Sequence, residues 1–287
     1  MRPMAETNVS PIRSWLHWLQ LTRPWNVLAM GTMVTLVLRW QDFPLSNLLQ
    51  LGQIGWVLVP MLVGAAGNLI NDYFDVREDR INKPERALVG RSVKRRVVLV
   101  THWGFTTAAL GWSGWLSASL HESWPMLMVF VFSLVLYLYS PLLKGRGAWG
   151  NLAISLCVGG LVVWGTLANG NGASREPWAL AAVLTLLNFI REWVKDIQDA
   201  DGDRVAHHNT MALQLSESQN KWGVLALLSL TWMGGVYWLW ETAAAVWLIV
   251  LWGGWGLACL QCALFSRHKS LSAFIKVWMG LLFGALL

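Results

Sequence analysis

The chain has 287 residues, of which 55% are hydrophobic and only 13% charged; a soluble domain carries about 25% charged residues. This excludes disorder, collagen-like structure and coiled coil, and it leaves too little polar surface to cover a soluble enzyme. A bilayer-spanning helix needs about 20 apolar residues, so nine spans occupy about 180 positions and leave short loops. The chain reads as an all-α, polytopic membrane protein. Its net charge of +6 sits in loops between apolar runs, a pattern that orients membrane helices rather than binds nucleic acid.

Taken in chain order, the leading segment MRPMAETNVSPIRSWLHWLQLTRP lacks the succession of a cleaved signal peptide. Apolar runs bounded by charge, Pro or Gly predict helices near 16–38, 53–73, 97–118, 124–140, 149–169, 178–195, 222–240, 243–265 and 271–287. Cys157, Cys259 and Cys262 fall inside these runs. The lone CxxC has no second ligand pair, so helix packing is expected there rather than zinc. With nine spans, the N-terminal tail and the loops after spans 2, 4, 6 and 8 share one side. All of the 22 basic residues but Arg39 and Arg175 lie on that side or at its helix ends. The positive-inside rule makes it cytoplasmic.

Most of the 16 acidic residues lie on the same side, in two clusters. The first reads GNLINDYFDVREDRINKPERAL, with Asp72, Asp75 and Asp79 at offsets 0, 3 and 7 and Asn68 four residues earlier. The second reads REWVKDIQDADGDRVAHHNT, where Asp196, Asp199 and Asp203 repeat those offsets and Glu192 takes the earlier place. On a helix these offsets share one face. Acids at the mouth of a membrane helix are costly unless solvated, paired or bound to a cation. Oxygen-only donors favour Mg²⁺ or Mn²⁺ over zinc, and Mg²⁺ completes its shell with water and phosphate oxygens. Two acidic clusters with Arg80, Lys83, Arg86, Lys144, Arg146, Lys195 and Arg204 nearby are thus expected to hold a metal-bridged diphosphate. The adjacent His207 and His208 read as a solvated loop, because neighbouring side chains point apart.

The string NxxNDYFDxxxDxxNKPxR, followed by KDxxDxxGDxxxxxxT, resembles the motifs of the UbiA superfamily of intramembrane prenyltransferases. The RPxN turn (Arg23, Pro24, Asn26) and YSPLLKGRGAWGN extend the likeness over nearly the whole chain. The resemblance implies one domain, 1–287, with motifs at 68–86 and 191–210, and nine helices around a central cavity with a cytoplasmic cap. It implies two Mg²⁺ ions held by Asp72, Asp75, Asp79, Asp196, Asp199 and Asp203, with Asn68 in the catalytic set. Arg80, Arg86, Lys144, Lys195 and Arg204 would bind the diphosphate, and Arg23, Asn26, Asn71 and Tyr139 would line the substrate pocket. Asp201 is an acid that the family pattern does not require.

The implied reaction moves an isoprenoid group from its diphosphate, geranylgeranyl diphosphate by motif likeness, to a lipophilic acceptor in the bilayer of the inner cell membrane. INDYFD with REWVKDIQDxDGD is most similar to members that prenylate geranylgeranylglycerol phosphate. An aromatic acceptor of quinone synthesis, 4-hydroxybenzoate or a naphthoate, is the alternative. A cation transporter or channel is a different class, opposed by acids that cluster at one face. A CDP-alcohol phosphotransferase is opposed by Asp201-Gly202-Asp203-Arg204, which lacks that family's continuation.

Overall fold

The computed structural model describes residues 11–82, 84–85, 87–170, 174–205, 207–242 and 246–284. Among them no strand occurs; two isolated bridges, Val89 with Val93 and Arg146 with Asn209, are the extended pairings. Helices fall within every predicted apolar span, with two changes of plan. The run expected as one helix over 16–38 is two, α1 (Pro11–Leu21) and α2 (Pro24–Trp40). Arg23 between them takes a left-handed φ of 55°. Pro24 has no N–H with which to continue the α1 ladder, and its fixed φ suits a helix start. The other change is length: the span expected at 178–195 belongs to a helix of 30 residues that runs on through the second acidic cluster.

The chain divides into two compact units, Met1–Gly31 with Gln50–Pro141, and Thr32–Leu49 with Leu142–Leu287. In the first, α3 (Gly55–Phe74) packs against α5 (Arg95–Leu120) and α6 (Trp124–Leu138). A short α4 (Val76–Asn82) follows α3. Leu21, Leu69, Val89, Val93 and Val98 form a small core beneath the α1 end. The α1 helix is pinned from its polar side, where Ser14 Oγ donates to the Ser92 carbonyl and Trp18 Nε1 to Thr101 Oγ1. A π-helical turn, Tyr139–Leu143, ends α6; it contains Pro141, which cannot donate to a regular ladder.

In the second unit, α8 (Glu176–Val205) is the central element, packed by α7 (Ala148–Leu167), α10 (Glu217–Glu241) and α12 (His268–Gly284). The α9 turn (Met211–Gln214) and α11 (Val246–Leu264) complete it. Its core joins Leu184, Leu187 and Ile190 of α8 to Trp252 and Trp278, whose rings lie 4.6 Å apart. Ser216 and Gln219 cap α10 reciprocally, satisfying two otherwise orphaned N–H groups.

Four segments among the described residues are long and apolar enough to cross a membrane: Gly55–Phe74, Trp124–Leu143, Ala148–Leu167 and Glu217–Glu241. The tryptophans divide. Trp56, Trp252 and Trp278 are fully buried, while Trp15, Trp25, Trp149, Trp222 and Trp240 are exposed, as expected of residues that anchor at a lipid interface.

Glycine sets the α7–α8 distance. A Cβ on Gly159 would lie 2.1 Å from Thr185 Oγ1 and 2.7 Å from the Ala181 carbonyl oxygen. That oxygen belongs to the backbone and cannot rotate away. Gly159→Ala is therefore expected to destabilise the protein by about 1–3 kcal/mol, the usual cost of overpacking. Gly254→Ala, with nothing within 4 Å of the added carbon, should leave the thermal midpoint in detergent unchanged or slightly raised; equal midpoints for the two variants would refute the close-approach argument.

Candidate active site

The first acidic cluster forms where α3 ends. Asp72 is in the last turn of α3, Asp75 is its C-cap, and Asp79 lies on α4. The expected single helical face is thus interrupted at Asp75, although Asp75 N–H still reaches the Asn71 carbonyl and Asp79 N–H the Asp75 carbonyl. Asp72 and Asp75 are buried and Asp79 half-buried. Arg23 Nη2 donates to Asp72 Oδ1 at 2.6 Å. Asn71 Nδ2 donates to Asp75 Oδ2 at 3.0 Å, and Ser140 Oγ donates in turn to Asn71 Oδ1 at 3.1 Å. Asn68 instead donates to the Thr22 carbonyl, pinning the α1–α2 break that presents Arg23. A narrow cleft lined by Asp72, Val76, Asp79, Ala87, Leu88 and Val89 opens beside these carboxylates.

The second cluster lies along α8 as a continuous helical face. Asp196 and Asp203 are buried and Asp199 half-buried. Asn151 of α7 donates through Nδ2 to Asp196 Oδ2 at 2.8 Å. Burial raises the Asp196 carboxyl to about 7, against the lowering by the Asn151 hydrogen bond; Glu192 and Asp203 add repulsion and Lys195 opposes it. Glu192 is clasped by two cations, Arg191 at 2.8 Å and Lys195 at 2.6 Å. Arg204 pairs with Asp201 at 2.9 Å on the exposed surface. His208 departs from the expected solvated loop: it is half-buried, with Nδ1 3.8 Å from Asp203 Oδ1, whereas His207 is exposed. The loop that carries Lys144 and Arg146 lies against this segment, since Gly147 N–H donates to the Asn209 carbonyl.

The other sequence-predicted residues are placed as follows. Lys144 is half-buried and Arg80 exposed. Tyr139 is buried at the π turn. Asn26 occupies the first turn of α2, its N–H bonded to the Arg23 carbonyl. Arg86, with Lys83, lies outside the described residues. Ser140 and Asn151 were not singled out from sequence, although both stand in YSPLLKGRGAWGN; a lone polar residue bordering an apolar run was the available signal.

The donor set is carboxylate oxygen, with the three cysteines free and confined to α7 and α11. Among the described residues, no three His, Cys, Asp or Glu side chains are drawn together closely enough to hold a metal unaided. Such a set fits Mg²⁺, which takes one or two carboxylates and fills its shell with water and ligand phosphate oxygens.

Apolar helices that end in buried, amide-braced carboxylates define a helical membrane protein with oxygen-donor sites at its helix ends. Residues 28–282 match the UbiA prenyltransferase family, and the chain belongs to that family of enzymes. It is 31% identical over 219 residues to the digeranylgeranylglyceryl phosphate synthase of Methanoregula boonei, covering 74% of this chain and 72% of that protein. It is 35% identical over 172 residues to the synthase of the same name from Methanosarcina mazei, covering 60% and 57%; that match spans less than two thirds of the relative's length. In fold it is similar to a structure described as giving insight into digeranylgeranylglyceryl phosphate synthase in membranes, with a TM-score of 0.72, 21% identity and coverage of 95% and 97%. A UbiA homologue from Archaeoglobus fulgidus bound to GPP and Mg²⁺ is similar at a TM-score of 0.61, with 14% identity and coverage of 94% and 99%.

The ion pairs differ in what they hold. Arg23→Ala leaves the buried Asp72 without its guanidinium and should cost about 1 kcal/mol, after discounting for the half-exposed arginine. Arg204→Ala, in the solvated pair, should leave the thermal midpoint in detergent unchanged. A larger loss for Arg204→Ala than for Arg23→Ala would contradict this ranking.

Proposed function

We propose that the protein is an Mg²⁺-dependent prenyltransferase that moves a geranylgeranyl group from its diphosphate to the free hydroxyl of geranylgeranylglycerol phosphate. The allylic C1–O bond breaks, an ether C–O bond forms, and diphosphate and the hydroxyl proton leave. The observation that carries the reading is the state of the acids. Asp75 and Asp196 are buried, and each accepts a hydrogen bond from a carboxamide, Asn71 and Asn151 respectively, so both carboxyls are held in a fixed orientation by donors that bring no charge of their own. Support for the acceptor comes from the relatives named digeranylgeranylglyceryl phosphate synthase. Support for a prenyl diphosphate donor comes from the Archaeoglobus fulgidus homologue bound to GPP or DMAPP with Mg²⁺, and the geranylgeranyl chain follows the likeness to the named synthases.

In this reading the whole chain acts as one domain. Asp72, Asp75, Asp79, Asp196, Asp199 and Asp203 bind two Mg²⁺ ions, and Asn71 sets the orientation of Asp75. When bound, Mg²⁺ withdraws charge from the diphosphate and weakens the allylic C–O bond. Arg80, Arg86, Lys144, Lys195 and Arg204 neutralise the leaving diphosphate. Lys195 would have to share itself with Glu192, which it contacts at 2.6 Å. Arg23, Asn26 and Tyr139 shape the pocket, and the apolar helices exclude water from the reacting carbon. The protein sits in the inner cell membrane with its N-terminus and the loops after α3 and α8 in the cytoplasm. Reporter fusions at residues 90 and 121 should lie inside and outside respectively; the reverse would overturn this orientation.

The function is tested with purified protein, Mg²⁺ and radiolabelled geranylgeranyl diphosphate, offered separately geranylgeranylglycerol phosphate, 4-hydroxybenzoate and dihydroxynaphthoate. Label is expected in the ether lipid; label in an aromatic product would move the enzyme to another pathway. Asp75→Ala and Asp199→Ala should each fall below about 1% of wild-type turnover, because metal charge stabilisation is worth several kcal/mol, while remaining folded and inserted. EDTA should abolish turnover and Mg²⁺ restore it. Wild-type turnover in either variant, or in the chelator, would sink the metal reading.

A further inference from the structure

We infer that Asn151 is a positioning residue for Asp196, and that it is held in place by a buried polar thread running through Ser155 to Asn188. The inference rests on the reading of Asp196 as a cation ligand. Asn151 Nδ2 donates to Asp196 Oδ2 at 2.8 Å. Ser155 Oγ donates to the Asn151 carbonyl at 2.6 Å and accepts from Asn188 Nδ2 at 3.3 Å. All four residues are buried, and Ser155 is completely so.

The thread ties two helices at successive heights. Asn151 and Ser155 are one turn apart on α7, while Asp196 and Asn188 lie on α8, about 12 Å apart at 1.5 Å per residue. A third tie follows in the same antiparallel sense, where Gly159 meets Thr185 and the Ala181 carbonyl. Stability alone does not call for such a thread. Exchanging every partner for apolar groups of the same shape is close to neutral, whereas removing one partner leaves a buried group unsatisfied. What the thread does supply is register. It keeps α7 from sliding along α8 and so fixes the Asn151 amide against one chosen oxygen of Asp196.

The chemistry of the donor matters as much as its place. A carboxamide orients a carboxylate but carries no charge. A lysine or arginine at residue 151 would neutralise Asp196 and compete with a cation. The amide instead occupies Oδ2 and leaves Oδ1 to be offered to the metal. Hydrogen-bonded partners of metal ligands typically contribute 10- to 100-fold in metal affinity.

The test uses full-length protein in detergent micelles with a non-reactive geranylgeranyl thiolodiphosphate, and reads Mn²⁺ affinity from the EPR signal of the free ion. Asn151→Ala should raise the Mn²⁺ concentration for half-saturation by about 10- to 100-fold. In an Asp196→Asn background the same change should add less than about twofold, because the two residues act as one unit. Ser155→Ala removes only a hydroxyl, provides the fallback if Asn151→Ala fails to fold, and should shift the affinity in the same direction by about threefold or more. Thermal midpoints in EDTA separate loss of affinity from loss of fold. Unchanged affinity in Asn151→Ala or in Ser155→Ala, or a full Asn151→Ala effect persisting in the Asp196→Asn background, would overturn the inference. If Asp196→Asn alone left affinity intact, the reading of Asp196 as a ligand would fail and the inference with it.

Discussion

A carboxylate inside an apolar helical protein is expensive, and the way this chain meets that cost organises its polar interior. Transferring an unpaired ion from water to a low-dielectric interior costs far more than any single contact returns. Two solutions to that problem are visible. Asp72 and Glu192 are compensated by cations, Arg23 in one case and Arg191 with Lys195 in the other. Asp196 accepts from the neutral amide of Asn151, and Asp75 accepts from that of Asn71. The first solution balances a charge with a side-chain cation, which a bound metal ion would have to share or displace; the second fixes the orientation of a carboxyl with a donor that brings no charge.

Backbone geometry delivers those donors. Arg23 reaches Asp72 because the chain breaks between two prolines-led helices, and Asn68 holds that break through the Thr22 carbonyl. Asn151 reaches Asp196 across the α7–α8 packing, whose approach at position 159 leaves no room for a side chain larger than that of glycine. In the first unit Ser140, at the π turn that ends α6, steadies Asn71. Irregular backbone thus presents both Arg23, which pairs with Asp72, and Ser140, which braces the Asn71 amide that bonds Asp75.

Much of this was legible in the sequence. Apolar runs define the helices because the bilayer demands internally bonded segments of a set length. The aspartates stood out because acids at helix mouths need a reason. The boundaries failed where local backbone chemistry overrode hydropathy: the Arg23-Pro24 turn splits a run read as one span, and Asp75 caps a helix that spacing alone would continue. Lys195, which resembles a diphosphate ligand by position, also contacts Glu192 one turn away, a pairing that spacing alone does not reveal. Asn151 escaped notice because its partner is 45 residues distant, and a single asparagine in an apolar stretch carries no periodic signal. Such contacts belong to tertiary packing, and a one-dimensional pattern does not encode them.

The central claim is that these buried acids serve a cation that carries a diphosphate. The most direct measurement is calorimetric binding of a non-reactive prenyl thiolodiphosphate to the purified protein, with Mg²⁺ and then with EDTA, in wild type and in the Asp72→Asn and Asp203→Asn variants. The account predicts binding that requires Mg²⁺ and is weakened in both variants. Equal affinity in EDTA and Mg²⁺, indifferent to both substitutions, would contradict it.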